Sequence, residues 1–338
     1  MNIELMTLTE VEGVEGEAGD FTVRLTHHPR YVDMDKCIAC GQCAEKCPKK
    51  VKDFNYNEGI GHRKAIFVRY PQAVPLKYRI DADNCIYFEK GRCRACEKVC
   101  PTGAINFDDQ ARSQSLKVGS IILAPGARTF DPSGIRAWGF GVFPNVVTSG
   151  QVERLLSASG PTEGHLLRPG DGQPVKKMAF LQCVGSRDLN KAGHAYCSSV
   201  CCMYAIKETM IALDHDPELE AALFFMDMRT HGKDFERYYN RARERGIRFQ
   251  RCRVHSLEPG DKPGDLTLRY ITDEGKQVSE EFDLVVLAVG METSPEAAEL
   301  CRRAGASLNH NQFIANSALA PVRTSRPGVF ACGTIMGP

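Results

Sequence analysis

Apolar side chains fall at every second position near the start of the chain, at Ile3 and Leu5 and again at Phe21, Val23 and Leu25, with a glycine-rich turn from Gly13 to Gly19 between them. A period of two puts such residues on one face of an extended chain, so residues 1–32 predict a β-hairpin. Charges and prolines break up residues 66–80, which read as strand and loop. Beyond Asp109 the pattern changes to short, continuously apolar runs. Residues 117–127 and 282–290 each read as a buried strand ending in a tight glycine turn. Between them the spacing predicts strands at 178–182, 222–228 and 248–254, with helices from about 198 to 213 and from about 234 to 245. Strands alternating with helices imply a parallel sheet covered on both faces. Residues 160–174, rich in Gly and Pro, read as a linker.

Fifteen cysteines change this picture. Eight of them form two runs, Cys37-x2-Cys40-x2-Cys43-x3-Cys47-Pro48 and Cys85-x7-Cys93-x2-Cys96-x3-Cys100-Pro101, an internal duplication. Three closely spaced thiolates wrap one face of a cubane, and in two-cluster ferredoxins the fourth cysteine, followed by Pro, reaches across to the other cluster. The expected ligand sets are therefore crossed: Cys37, Cys40, Cys43 and Cys100 on one [4Fe-4S] cluster, and Cys85, Cys93, Cys96 and Cys47 on the other. Paired zinc ribbons are the bland alternative, but they use separated Cys-x2-Cys pairs rather than continuous runs. The seven residues between Cys85 and Cys93 lengthen one ligand loop without removing a ligand. Cysteines in metal-like runs, within a chain long enough for a core, point to reduced thiolates in an oxygen-poor cytoplasm. Lys plus Arg (43) nearly balance Asp plus Glu (42), so no strong field draws the protein to nucleic acid. No apolar run is long enough for direct membrane insertion.

A further constellation follows the strand at 178–182: Cys183-Val184-Gly185-Ser186-Arg187-Asp188, then Tyr196-Cys197-Ser198-Ser199-Val200-Cys201-Cys202. Cys197 and Cys201 share a helix face and Cys202 lies about 100° around it, so a frayed first turn is needed to gather all three. With Cys183 at the strand end this makes four soft ligands, enough for one more [4Fe-4S] cluster. A redox disulfide, or cysteines buried as small hydrophobes, are the alternatives. No Gly-x-Gly-x-x-Gly follows any strand, so the phosphate-cradling loop for FAD or NAD is absent from this chain. Cys252 and Cys301 have no partner at ligand spacing and read as plain thiols; His27, His28 and His231 read as surface groups. The helix at 234–245 reads as a solvated face, with a docking surface as the sharper reading.

Ala124-Pro125-Gly126-Ala127, Leu287-Ala288-Val289-Gly290 and Gly328-Val329-Phe330-Ala331-Cys332-Gly333 resemble the strand turns that approach the cofactor in two-dinucleotide-domain flavoproteins, with Thr334 where those proteins carry Asp. Cys332 is open between a flavin-facing thiol and a packed strand residue. Together with Tyr31-Val32-Asp33 ahead of the first cysteine run and the Cys183 to Asp188 and Cys201-Cys202-Met203-Tyr204 segments, these motifs resemble the heterodisulfide reductase A-subunit family over essentially the whole chain. The resemblance implies an α/β, thioredoxin-reductase-like flavoprotein fold interrupted by an inserted α+β ferredoxin domain. It divides the chain into 1–32 (end of the first part of the FAD domain), 33–110 (ferredoxin insert), 111–160 (FAD-domain return and linker), 161–280 (nucleotide-domain-like unit with the third cysteine cluster) and 281–338 (C-terminal part of the FAD domain). It also implies FAD beside Ala124, Pro125, Gly126, Ala127, Gly290, Cys332 and Gly333, and clusters on the twelve cysteines named. The implied activity is that of an oxidoreductase subunit relaying or bifurcating electrons, with no catalytic side chain assigned. Its partners would be other heterodisulfide-reductase-like subunits, with a hydrogenase, formate dehydrogenase or ferredoxin-type donor. The alternative is a cluster-bearing wiring module that no longer binds flavin. Family members begin with a further domain and a Gly-rich FAD loop, so the chain is expected to be an internal piece of a longer protein or one half of a split one.

Overall fold

The structure is a computed structural model that describes residues 2–189 and 193–338. It divides into two compact units. The first contains the chain up to Tyr56, His62–Ala127 and Thr293–Gly337; the second contains Asn57–Gly61 and Arg128–Glu292.

In the first unit the expected hairpin is formed by Thr9–Glu17 and Asp20–His27, with Glu17 opposite Asp20. Gly19 makes the turn at a φ of 94°, a conformation that side chains disfavour. Phe21, Val23 and Leu25 are buried on one face, as their alternation requires, whereas Ile3 and Leu5 precede the strand and stay exposed. A third strand, Arg112–Val118, lies against Asp20–His27 with Phe21 opposite Val118 and His27 opposite Arg112. The chain thus leaves the sheet at His27 and returns at its register partner Arg112. Everything between is an excursion from one point of the sheet, which is how an inserted domain fits without breaking the ladder. Residues 117–127 do not form one strand: the chain bends at Gly119, and Ile121–Leu123 pairs in parallel with Val329–Ala331 in a separate small sheet, Leu123 opposite Ala331. Helix Pro295–Arg303, capped by Ser294 accepting from the Ala297 N–H at 3.1 Å, packs Ala297 and Cys301 into a core with Phe21, Leu123, Val329 and Ile335.

Within the insert, Ile66–Phe67 pairs with Arg79–Ile80 across the expected loop. The long spacer between Cys85 and Cys93 folds as helix Ile86–Lys90, closed by left-handed Gly91. It brings Tyr87 to 4.2 Å from the Phe107 ring and Phe88 to 4.5 Å from Tyr31, an aromatic cover over the second cysteine run.

The second unit is built on a five-stranded parallel sheet in the order Val146–Thr148, Leu284–Val289, Lys177–Val184, Glu220–Phe225, Arg248–Arg251. Every residue of Leu284–Val289 is buried, as a strand covered on both faces demands. On one face Met178, Phe180, Leu223 and Val286 pack with Ala205, Ile206 and Leu213 of helix Cys201–His215. On the other, Ala179, Leu181, Phe224 and Val285 meet Leu257, Leu268, Tyr270 and Phe282. That second cover is an antiparallel sheet of Ser256–Pro259, Leu266–Ile271 and Gln277–Phe282 rather than helices, signalled by period-two Leu266, Leu268 and Tyr270. The divisions expected at 160 and 280 also move, to Ala127 and Glu292, because Val146–Thr148 and Leu284–Val289 hydrogen-bond into this sheet. Helix Phe235–Glu244 buries only Ala242 among its residues, and Arg237 pairs with Asp234 while Glu236 accepts from Thr230. Among the described residues no helix is long and apolar enough to cross a membrane.

Candidate metal centres

In the ferredoxin segment Cys100 lies near the first cysteine run and Cys47 near the second. Left-handed Ala39 and Gly41 curl the first run around Cys40, which is exposed, while Cys37 and Cys43 turn inward. Burial pushes the Cys43 thiol up to about 12, and Cys37, Cys100 and Cys40 are neighbouring thiols that add to the shift. Cys47, Cys85, Cys93 and Cys96 instead line one apolar pocket with Ile66, Ile80 and Phe107. Burial pushes Cys96 up to about 12 as well, with Cys85 and then Cys47 and Cys43 adding to it. Cys93 and Arg94 both lie outside the common backbone regions, with φ of 116° and 57°, which lets the chain double back between Cys85 and Cys96. Cationic donors anchor the ligand loops: Lys77 Nζ reaches the Cys37 carbonyl and Lys64 Nζ the Cys47 carbonyl, both at 2.6 Å. Cys100 is held differently. Burial would raise its pKa, but the Ala104 N–H donating to Sγ at 3.2 Å and further donors outweigh it, so the thiol is pushed down.

The third constellation is assembled by turns rather than by a helix face. Strand Lys177–Val184 loses regular register after Leu181, and Cys183, Gly185 and Arg187 all take positive φ. The loop then folds back on itself, His194 N–H donating to Gly185 O at 2.9 Å and Arg187 N–H to Tyr196 O at 2.8 Å. Left-handed Ser199 prevents a helix from starting at 198; the helix begins at Cys201, so Cys197 precedes it and only Cys201 and Cys202 occupy its first turn. Buried Ser186 and Ser198 join at 2.8 Å and pin the two ends of the loop, and Ser198 accepts from the Met291 N–H. Burial pushes Cys201 up to about 12, with Cys202, Cys183 and Cys197 adding to it in turn. Cys183 and Cys202 are raised for the same first reason, and Cys197 contributes to both. Burial therefore disfavours the free thiolates of Cys183, Cys201 and Cys202, and Cys197 lies near enough to act on all three. A bound metal would supply the positive charge that replaces those protons.

Among the described residues no three His, Cys, Asp or Glu side chains converge closely enough for a single metal ion. A cubane interposes a cage of iron and sulfide between its thiolates and so spreads them more widely than one tetrahedral ion does.

Pairing of Leu123 with Ala331 sets Ala124-Pro125-Gly126-Ala127 beside Cys332-Gly333, with Cys332 N–H donating to Leu123 O at 3.0 Å. Gly126 and Gly333 have φ of 79° and 77°, and a Cβ on either would meet nothing within 4 Å, so the space along this edge is open. Cys332 is exposed, which removes strand packing as its explanation. Gly290 belongs to the second unit, where a Cβ would lie 2.2 Å from Ser186 Oγ and 2.6 Å from Ser198 Oγ; the close approach it permits is to the third cysteine loop. Cys301 is core and Cys252 half-buried, while His27 and His28 engage Thr9 and Glu10 at the surface. Sequence reasoning named Gln182 only as a strand end and Arg187 only within the Cys183 to Asp188 motif, and passed over Glu208. Only the placement of Gln182 beside Cys183 and of Glu208 seven residues, two helical turns, after Cys201 could have flagged them.

Residues 77–337 match the model of the pyridine nucleotide-disulphide oxidoreductase family, and residues 36–104 that of the 4Fe-4S dicluster domain. Over its whole length the chain is 42% identical to the iron-sulfur A-subunit of CoB–CoM heterodisulfide reductase from Methanocaldococcus jannaschii, covering 51% of that protein. It is 41% identical to the A-subunit of the H(2):CoB-CoM heterodisulfide,ferredoxin reductase of Methanothermobacter marburgensis, covering 50%, and 41% identical to that of the H(2)/formate:CoB-CoM heterodisulfide,ferredoxin reductase of Methanococcus maripaludis, covering 51%. The chain thus spans about half the length of the curated relatives it matches. The crystal structure of T. acidophilum thioredoxin reductase aligns over 88% of this chain and 86% of its own, at 13% identity and a TM-score of 0.40. The chain belongs to the pyridine nucleotide-disulphide oxidoreductase family and is similar over its whole length to the A-subunits of heterodisulfide reductase.

Proposed function

We propose that this chain is the electron-relaying part of a cytoplasmic heterodisulfide-reductase-type subunit, carrying two [4Fe-4S] clusters in the ferredoxin insert and a third on Cys183, Cys197, Cys201 and Cys202. The observation that carries the reading is the crossing itself: Cys100 joins Cys37, Cys40 and Cys43, while Cys47 joins Cys85, Cys93 and Cys96. A crossed pair of four-thiol sites is the arrangement of a two-cluster ferredoxin, whose centres lie close enough for rapid exchange of single electrons. FAD along the edge of Ala124–Ala127, Cys332 and Gly333 would exchange one or two electrons, where each cluster exchanges one. That conversion is what either simple relay or bifurcation between a donor and a disulfide- or ferredoxin-reducing partner requires. The names of the relatives favour a hydrogenase or formate dehydrogenase as donor. NAD(P) is not the direct donor in this reading. After the strand Lys177–Val184, Cys183 to Asp188 stand where a glycine-rich phosphate loop would, and their bulkier side chains would obstruct a pyrophosphate.

The test is anaerobic purification of the protein followed by reduction and electron paramagnetic resonance, with flavin released and measured by fluorescence. Two interacting ferredoxin-type signals and about one flavin per chain are expected. Clusters without flavin would overturn the flavin assignment and leave a wiring module; absence of the interacting pair would overturn the whole reading.

A further inference from the structure

Two side chains beside the third cysteine site hold buried polar atoms that no group among the described residues satisfies: the amide of Gln182, at both Nε2 and Oε1, and Nη1 of Arg187. Buried unpartnered polar atoms of this kind are rare in native proteins, and the two donors among them, Gln182 Nε2 and Arg187 Nη1, call for an acceptor that the protein atoms do not supply. Their positions narrow the choice. Gln182 stands in Lys177–Val184 immediately before Cys183, where the strand leaves regular register after Leu181, and it lines one cavity with Cys183 and Arg187. Arg187 sits in a left-handed turn that side chains disfavour, at a φ of 56°. Its Nη2 is clamped by Asp227 Oδ2 at 2.7 Å, and its positive charge acts on both Cys183 and Cys202. One guanidinium nitrogen is thus fixed, and the side chain stays within hydrogen-bonding reach of Cys183.

Sulfide and thiolate are acceptors with no hydrogen to give, so they can satisfy N–H donors that water does not reach. N–H donors to cluster sulfur and nearby positive charge favour the electron-rich reduced state and raise the potential. We propose that Gln182 and Arg187 are positioning residues that donate N–H hydrogen bonds to the sulfur of the third centre and hold its potential above that of a cluster ligated by the same four thiolates alone. This rests on the reading that Cys183, Cys197, Cys201 and Cys202 carry a cluster. The function it gives the centre is that of an electron acceptor poised by its surroundings. Asp227 is the outer member of the device, since it orients the guanidinium.

The experiment is an anaerobic redox titration of the whole protein followed by electron paramagnetic resonance, comparing the parent with Gln182→Met and Arg187→Met, and with iron and acid-labile sulfide counted in each. Asp227→Asn is the milder variant, keeping the charge of Arg187 while releasing its clamp. Expected is an unchanged iron content with the third signal harder to reduce. Held at the parent's midpoint, Arg187→Met would show a reduced-to-oxidised ratio lower by about tenfold, which is ~59 mV for a one-electron centre. Gln182→Met should move in the same direction by less, and Asp227→Asn, whose lost negative charge opposes its lost clamp, should move least, while the two ferredoxin signals stay in place. A third signal whose midpoint is unmoved in all three variants overturns the proposal alone. A parent protein with no third signal, and no iron lost on Cys201→Ser with Cys202→Ser, overturns the cluster and the proposal with it.

Discussion

Glu208→Gln should stabilise the second unit, and by an amount that grows with pH. Glu208 lies on helix Cys201–His215, is 2% exposed, and leaves Oε2 without a partner. Burial pushes its carboxyl from 4.5 up to about 9; Glu153 raises it further and Lys207 opposes. The folded-state pKa lies above the unfolded one, so the stability contributed by the protonated group is fully present below 4.5 and is lost as pH rises toward 9. Each pH unit in that window costs the parent about 1.4 kcal/mol, whereas the uncharged amide of the variant does not titrate. From pH 6 to pH 8 the variant should therefore gain ~3 kcal/mol on the parent. Hydrogen exchange of peptides from Cys201–His215, measured in both proteins at matched pH, reads this as a protection ratio that rises about tenfold per unit. A ratio independent of pH between 6 and 8 would show that Glu208 is ionised in the folded protein, and the burial argument would fail.

Other expectations follow from single contacts. Phe180→Ala removes a fully buried ring from the sheet–helix core and should cost about 3–5 kcal/mol, seen as a lowered thermal midpoint of the second unit. Gly185→Ala forces a side chain onto a φ of 75° and places its Cβ 2.3 Å from the Phe130 ring. The third-centre signal should be lost or weakened while the ferredoxin signals persist. Cys100→Ser should perturb the same ferredoxin signal as Cys43→Ser, and Cys47→Ser the same signal as Cys96→Ser; the opposite grouping would refute the crossing. NADH added anaerobically should leave the visible spectrum of the protein unchanged, and bleaching would refute the obstruction by Cys183 to Asp188.

What the sequence disclosed follows how local each signal is. The ferredoxin cysteine runs were legible because most of their members lie three and four residues apart, a spacing that by itself points to the chemistry. The buried strand Leu284–Val289 was legible as an apolar run, yet its sheet was not, because only hydrogen bonding to Lys177–Val184 and Val146–Thr148 decides which unit it joins. The helix start was misplaced by three residues because left-handed Ser199, an unusual conformation for a side chain, leaves no mark in composition. Ile3 and Leu5 continue the alternation of the hairpin but find no partner strand. Gln182 and Glu208 are polar residues whose burial depends on packing from distant segments, so only the fold exposes them.

The central claim is that a third cluster joins the two of the ferredoxin insert. Iron and acid-labile sulfide, counted on anaerobically purified protein and on its Cys201→Ser, Cys202→Ser variant, test it most directly. About twelve irons in the parent and about eight in the variant are predicted, with the ferredoxin signals retained. Equal iron in the two proteins would contradict the account and return Cys183, Cys197, Cys201 and Cys202 to packing or thiol redox chemistry.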